Sequence, residues 1–487
     1  MTKARTMVRG AFLSGAGMIA SMAGSLVSAV IFGRMLPESQ VGVFWMLILL
    51  CDGLLILSNF GLHSALPKII ADAPEAGRGE MGAGILLVQG AISLALGIVL
   101  FAAWLLLPDP RVITANTSWL DLYPHLWILP LLCIAATQRD TSLAILAGMN
   151  RYSGRAVGLI VGSAVQVTLV VVAVAWLKLG LVALTLCTFV SYVAAAAWLI
   201  GQVGRFRIRG GIWQSYARAV RFSIPLYINN VLGFAFQRAD TVLVAMLLGS
   251  PTLVAYFEMA KRLPNLISRI LTAMLVPYLP GLSNRLSDGD FAGASRLLNQ
   301  TLSLMAFLGY SSVLAMVVIQ RPLIVLLFSQ RYLACLPVLW LLMTGACLAI
   351  QAGILGLSLV AAGHPGHVTR ANIVTAAVSI ILNCALIPRF GIIGAAWSLV
   401  AVTAMSALLQ GYFVNRCGLR LTATSTLVPH AAIAVCLALT QYKEVFWIRA
   451  SALLLFVVLC LAASVVTPRQ LVQWGRHVIP GQRAARV

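Results

Sequence analysis

Charge is scarce in this sequence, and acid is the scarcer sign: 10% of 487 residues are charged, 13 Asp+Glu against 34 Lys+Arg. Ordinary soluble proteins carry about 25%, so a water-soluble globular chain is excluded. No GxxxxGK[ST] phosphate loop occurs, which removes ATP-driven transport by this chain alone. No CxxC occurs among the nine cysteines, Cys51, Cys133, Cys187, Cys335, Cys347, Cys384, Cys417, Cys436 and Cys460. Neither a disulfide framework nor a zinc site is supported, and they read as small apolar packing residues. Polar breaks longer than about twenty residues are also lacking, so a large catalytic loop has no room. No Ser/His/Asp set stands out, and no catalytic residue is assigned. His364 and His367 lie three apart in a turn without a carboxylate neighbour, so no metal is assigned either.

What the chain has in quantity is apolar length. Hydrophobic residues make up 61% of it, and a bilayer-spanning helix needs about 20. That is enough for about fourteen spans. Apolar runs place them at 11–33, 41–62, 82–107, 122–147, 156–176, 180–202, 222–248, 252–276, 299–320, 333–361, 366–387, 391–415, 425–441 and 445–466. The first run is longer than a signal-peptide core and reads as an uncleaved span. With the N-terminus inside, about 21 Lys+Arg fall on inside segments and about 7 on outside ones. Cytoplasmic loops collect these residues, so both ends are expected in the cytoplasm. The basic excess thus reflects topology, and nucleic acid is not an expected partner.

The two halves echo one another. Met35-Leu36-Pro37-Glu38-Ser39-Gln40-Val41-Gly42 matches Leu247-Leu248-Gly249-Ser250-Pro251-Thr252-Leu253-Val254, Ala147-Gly148 with Arg155 matches Ala362-Gly363 with Arg370, and Leu179-Gly180 matches Phe390-Gly391. The offsets are 212, 215 and 211 residues. An offset of six spans preserves orientation, which gives two parallel six-helix lobes. Such repeats in transporters hold substrate between them near the midplane. The expected divisions are an N-terminal lobe at 1–202, a basic cytoplasmic linker at 203–221, a C-terminal lobe at 222–415, two added helices at 416–466 and a basic tail at 467–487.

Four stretches carry a family resemblance. They are Phe32-Gly33-Arg34-Met35-Leu36 with Gly42-Val43-Phe44; Ser223-Ile224-Pro225-Leu226 with Arg238-Ala239-Asp240, Ala255-Tyr256 and Lys261-Arg262-Leu263; Tyr278-Leu279-Pro280-Gly281-Leu282-Ser283; and Phe390-Gly391-Ile392-Ile393-Gly394-Ala395-Ala396-Trp397. Over roughly 10–415 the chain resembles the polysaccharide-transport branch of the MOP flippase superfamily, which includes lipid II flippases and MATE drug exporters. The resemblance implies an all-α polytopic fold of MATE-like type, with two lobes facing a central cavity under alternating access. It implies flipping of undecaprenyl-diphosphate-linked oligosaccharide across a bacterial inner membrane for surface polysaccharide, O-antigen and exopolysaccharide among the possible products. A polysaccharide polymerase and other assembly proteins are the implied partners, besides membrane lipid. No cofactor is implied; a coupling ion, H+ or Na+, is left open. Rival readings are a cation-coupled exporter of small organic molecules on the same fold, and a membrane polymerase or ligase.

Charges inside spans are the candidate site, because each costs roughly 2.5–3.5 kcal/mol at a helix centre unless it meets water or a partner. In span eight Glu258, Arg262, Asn265 and Arg269 fall within about 60° on a helix, with Lys261 beside them and Pro264 among them. Guanidinium forks and an ammonium suit a diphosphate; a Glu258–Arg262 pair at i,i+4 is the plainer alternative. Span seven carries Asn229, Asn230, Gln237, Arg238 and Asp240; the last two point about 200° apart and need partners elsewhere, either substrate or an interhelical ion pair. Span four carries Arg139-Asp140, which serve each other or separate partners. Asp52 lies mid-span two, and Arg34 suits an interfacial anchor. Arg139, Arg238, Lys261, Arg262 and Arg269 are thus the expected anion-binding residues; Asp52, Asp140, Asp240 and Glu258 are the expected gating or ion-coupling ones.

Overall fold

A computed structural model describes residues 3–106, 121–204, 212–275, 277–442, 446–463 and 465. The linker's Arg205, Arg207 and Arg209 and the tail 467–487 lie outside the described residues. Among the described residues every regular element is helical, as expected for an all-α chain.

Contacts divide the chain into two compact units, one of residues 1–259 with 327–331, the other of residues 260–326 with 332–487. The first holds α1 (Lys3–Met35), α2 (Glu38–Asn59), α3 (Leu62–Asp72) and α4 (Arg78–Leu106). A 3-10 turn at Tyr123–Ile128 leads into α5 (Leu129–Gly148), followed by α6 (Tyr152–Val170), α7 (Leu181–Val203), α8 (Ile212–Leu248) and the start of α9 (Pro251–Ala273). The second holds the rest of α9, α10 (Tyr278–Ser287) and most of α11 (Phe291–Phe328). A 3-10 turn at Gln330–Cys335 then leads into α12 (Leu336–Ala361), α13 (Pro365–Arg416), α14 (Ala423–Tyr442) and α15 (Phe446–Ala462).

Helical elements lie on all fourteen apolar segments. Ten helical stretches are long and apolar enough to cross a bilayer by length and composition. The difference has identifiable sources: α5 and α8 carry internal charges, α15 has only 17 residues, and α13 holds two expected spans in one element of 52. Inside α13, Gly391 sits at φ 61, ψ −141, a region open essentially to glycine. His367 near its start stacks on Phe413 near its end, with ring centroids 4.5 Å apart. So α13 is a helical hairpin folded at Gly391. Large apolar side chains stand exposed along the helices, Leu106 at 84% and Trp176 at 82%, which a bilayer covers and water would not. The chain is a multi-pass membrane protein.

The two short helices α3 and α10 fall where the sequence suggested loops. Both are amphipathic in packing: α3 buries Leu62, Ala65, Leu66 and Ile70, and α10 buries Tyr278 and Leu282. In the first unit α3 joins a core with Ile85, Leu86, Leu146, Leu199 and Tyr216. The Tyr216 hydroxyl donates to Gln89 Oε1 at 2.7 Å, and burial pushes its phenol up to about 12. The bend from α2 into α3 is made by Phe60 and Gly61 in left-handed conformation. A Cβ on Gly61 would lie 2.7 Å from Ser223 O, and the Ser223 hydroxyl donates to Phe60 O at 2.6 Å. That close approach seats α8 on the bend. In the second unit α10 packs with Leu298, Leu302, Ile354 and Val414. The added pair α14 and α15 is anchored on α11 through Phe307 and Tyr310, whose rings meet Phe456 at 6.3 Å.

The repeat suspected from three short echoes extends through the elements. The ends of α1 and α8 lie 213 residues apart, as do the starts of α2 and α9, α4 and α11, and α6 and α13. The starts of α3 and α10 are 216 apart. A 3-10 turn precedes both α5 and α12, which open on Leu129-Pro130 and Leu336-Pro337, 207 apart. The packing boundary falls at Met259–Ala260, later than the start of the second copy, because α8 and the first turns of α9 pack in the first unit.

Candidate functional site

Six ionisable side chains from four helices meet inside the first unit. Asp52 comes from α2, Arg139 and Asp140 from α5, Arg238 and Asp240 from α8, and Glu258 from α9. Arg238 Nη2 lies 2.8 Å from Asp52 Oδ2, and its Nη1 lies 3.9 Å from Glu258 Oε2. Arg139 Nε donates to Asp140 Oδ1 at 2.7 Å, while its guanidinium lies over the Tyr192 ring of α7, 4.0 Å from the centroid. Arg238 thus bridges two carboxylates, and the charges of Arg139, Asp140 and Glu258 also act on Asp52.

A hydroxyl completes the arrangement. Thr241 Oγ1 donates to Glu258 Oε1 at 2.6 Å, and the Thr241 backbone N–H donates to Asp240 Oδ1 at 2.7 Å. Glu258 and Asp240 are the deeply buried members, at 6% and 7% exposure. The Arg238 and Asp52 side chains keep about a third of their surface open, at 36% and 33%. Such a pair inside hydrocarbon is tolerable because each charge has its counter-charge within hydrogen-bond reach.

In this structure each of these two arginines has a carboxylate at ion-pair distance: Arg238 makes the interhelical pairing with Asp52, and Arg139 the mutual one with Asp140. Asp52, a weaker candidate by sequence, pairs with Arg238 at 2.8 Å. Lys261, Arg262 and Arg269 lie further along α9, on its stretch in the second unit, with Lys261 and Arg262 half-buried and Arg269 exposed. The helix continues through Pro264. Side chains of Asn229 and Gln237 lie outside the described residues; Asn230 Nδ2 donates to Ser64 Oγ of α3 at 3.1 Å. Arg34 does more than anchor: its Nε donates to Leu327 O at 3.0 Å, near Glu38 and Arg331, which lie 3.8 Å apart.

Sequence reasoning missed Tyr192 and Thr241. Nothing in an apolar run marks one tyrosine or threonine for a charged partner on another helix. The neighbouring pair Cys51 and Cys133, sulfurs 3.7 Å apart, was likewise invisible in their spacing of 82 residues.

Comparison with known proteins now places the chain. It matches the model of the polysaccharide biosynthesis protein family over residues 7–284, and it belongs to that family. A relative in Haloferax volcanii, described as a probable low-salt glycan biosynthesis flippase, Agl15, is 21% identical over 393 residues, 79% of this chain and 78% of the relative. Among solved structures, the lipid II flippase MurJ in an inward closed conformation superposes with a TM-score of 0.70 at 14% identity, covering 95% of this chain and all of that one. An inward-facing multidrug MATE transporter of the MOP superfamily gives 0.62 at 15% identity, over 82% and 95%. The fold is that of MOP-superfamily transporters.

Proposed function

We propose that this protein is a flippase that carries a polyprenyl-diphosphate-linked oligosaccharide from the cytoplasmic to the periplasmic leaflet of a bacterial inner membrane. The observation that carries the reading is the ion-paired cluster of Asp52, Arg139, Asp140, Arg238 and Glu258 inside a membrane protein of a polysaccharide biosynthesis family. A scaffold or a lipid anchor has no use for charges this costly to bury. A transporter that shelters a polar headgroup from hydrocarbon does.

In this reading the basic residues of α9, Lys261, Arg262 and Arg269, attract the diphosphate. Arg238 acts as a latch: it holds Asp52 of α2 and Glu258 of α9, and exchanging one carboxylate for the other changes which helices are tied. Asp140, Asp240 and Glu258 then gate, or take up a coupling H+ or Na+, in step with that exchange. The relatives' flippase and transporter descriptions support transport over catalysis. Both termini would face the cytoplasm, and a polysaccharide polymerase would receive the flipped units.

The test follows lipid-linked repeat units after depletion of the protein, with leaflet access probed by an impermeant sugar-modifying reagent. Accumulated units shielded on the cytoplasmic side are the expected result. Units that accumulate but reach the periplasmic face would move the protein to a later step, polymerisation or ligation. Absence of accumulation in a strain without a second flippase would favour export of small organic molecules.

A further inference from the structure

Two histidines that looked isolated in the sequence acquire a third neighbour in the fold. His364 and His367 sit at the turn between α12 and α13, and Cys417 follows the last residue of α13, Arg416. The hairpin at Gly391 folds these ends together. The result is a ligand-atom cluster in which one ring nitrogen of His364, one of His367 and Cys417 Sγ all lie within 4.8 Å of one another.

The backbone fixes each member. His364 N–H donates to Leu359 O at 2.9 Å and His367 N–H to His364 O at 3.2 Å, which closes the turn. Cys417 N–H donates to Phe413 O at 3.0 Å. The His367 ring is held flat against Phe413 at an interplanar angle of 15°. Its Nδ1 is buried and has no hydrogen-bond partner among the described residues. A buried, unpartnered nitrogen on a ring that lies beside a second histidine and a thiol is a costly arrangement for plain packing. It is the arrangement a metal ligand needs.

We propose that His364, His367 and Cys417 form a three-ligand site for a transition-metal ion of the zinc class, with the fourth position open to water or another donor. Two imidazoles and one thiolate suit zinc or its borderline-soft neighbours and not magnesium or calcium, which take oxygen ligands. Tetrahedral zinc at ordinary bond lengths sets its ligand atoms about 3.3–3.6 Å apart, so the cluster needs to contract by about 1 Å. His364 is exposed on its turn and is free to supply that movement. On binding, the Cys417 thiol releases its proton to solvent, and the resulting thiolate offsets one of the ion's two positive charges. Arg416, adjacent in sequence, directs its guanidinium onto the Tyr412 ring, 4.8 Å from the centroid. The bound ion would staple the two ends of the α13 hairpin to the end of α12.

The test uses full-length protein in detergent, purified without a histidine tag, stripped with EDTA and dialysed against buffered Zn2+ or Co2+. The wild type is expected to retain about one ion per chain, to gain thermal stability on adding Zn2+, and with Co2+ to show a thiolate-to-cobalt charge-transfer band with tetrahedral visible bands. Cys384→Ser, which removes an exposed cysteine elsewhere on α13, is expected to behave as wild type. Cys417→Ser is expected to lose the charge-transfer band, and His367→Gln to lose affinity by at least about tenfold. A wild type that retains no ion overturns the site whatever the variants do. So does a cobalt spectrum unchanged by Cys417→Ser.

Discussion

At the scale of single residues, the cluster around Asp52 is a set of dependencies, and each can be broken by one change. Arg238→Ala leaves Asp52 and Glu258 without the guanidinium now 2.8 and 3.9 Å away. Breaking a fully buried pair costs about 3–5 kcal/mol; with a third of this pair's surface open, a loss of about 1–3 kcal/mol is expected. The measurement is thermal unfolding in detergent, and adding Asp52→Asn to the Arg238→Ala background should recover part of the loss. If the double variant is no more stable than the single one, the two residues are not coupled. Thr241→Val removes the 2.6 Å donor to Glu258 at almost constant volume, with an expected loss of about 1–3 kcal/mol. Arg262→Ala should reduce flipping while leaving protein abundance near normal; undiminished flipping would remove it from the anion path. The sequence marked the charged residues themselves, because charge inside an apolar run stands out. It could not mark their pairing, since Asp52 and Arg238 are 186 residues apart and only the packing of α2 on α8 brings them together. Tyr192 and Thr241 carry no such mark and become visible only through their partners.

At the scale of elements, two backbone positions and one docking contact govern the packing. Gly391→Ala places a Cβ in a conformation that costs about 1–3 kcal/mol for any other residue, in open space where nothing lies within 4 Å. A loss of that size in thermal unfolding, without further disruption, is expected. Gly61→Ala combines its positive φ of 77 with a Cβ 2.7 Å from the Tyr227 backbone nitrogen, so its loss should exceed that of Gly391→Ala. Equal effects would mean that the close seating of α8 carries no weight. Phe456→Ala empties a fully buried site on α15; a loss of about 3–5 kcal/mol and easier proteolysis between α14 and α15 are expected. Helix positions were legible from apolar length, which the bilayer imposes. The short helices α3 and α10 were not, because eleven and ten residues are too few to span and their burial depends on neighbours distant in sequence.

At the scale of the whole molecule, orientation is the open physical quantity. In a protein whose only remaining cysteine is Cys417, stripped of metal with EDTA, a membrane-impermeant maleimide should react in inverted vesicles and not in intact spheroplasts, since the loop after α13 falls on the side expected to be cytoplasmic. The reverse pattern would invert the topology and the direction of transport with it. The fold class was readable because hydrophobic length and the Lys+Arg bias are global properties of the chain, while the charge cluster's partners are set by packing. The element-by-element repetition has a historical consequence. An even number of spans lets a tandem gene duplication insert its second copy in the orientation of the first, with no inverted ancestor required. The copies have since diverged in trade. Counting from the shared Leu-Pro openings of α5 and α12, the Arg139-Asp140 pair of the first copy corresponds to Ala346-Cys347 in the second. One descendant took on the ionic work at this place while its twin stayed neutral, so exchanging the halves would not restore the parent.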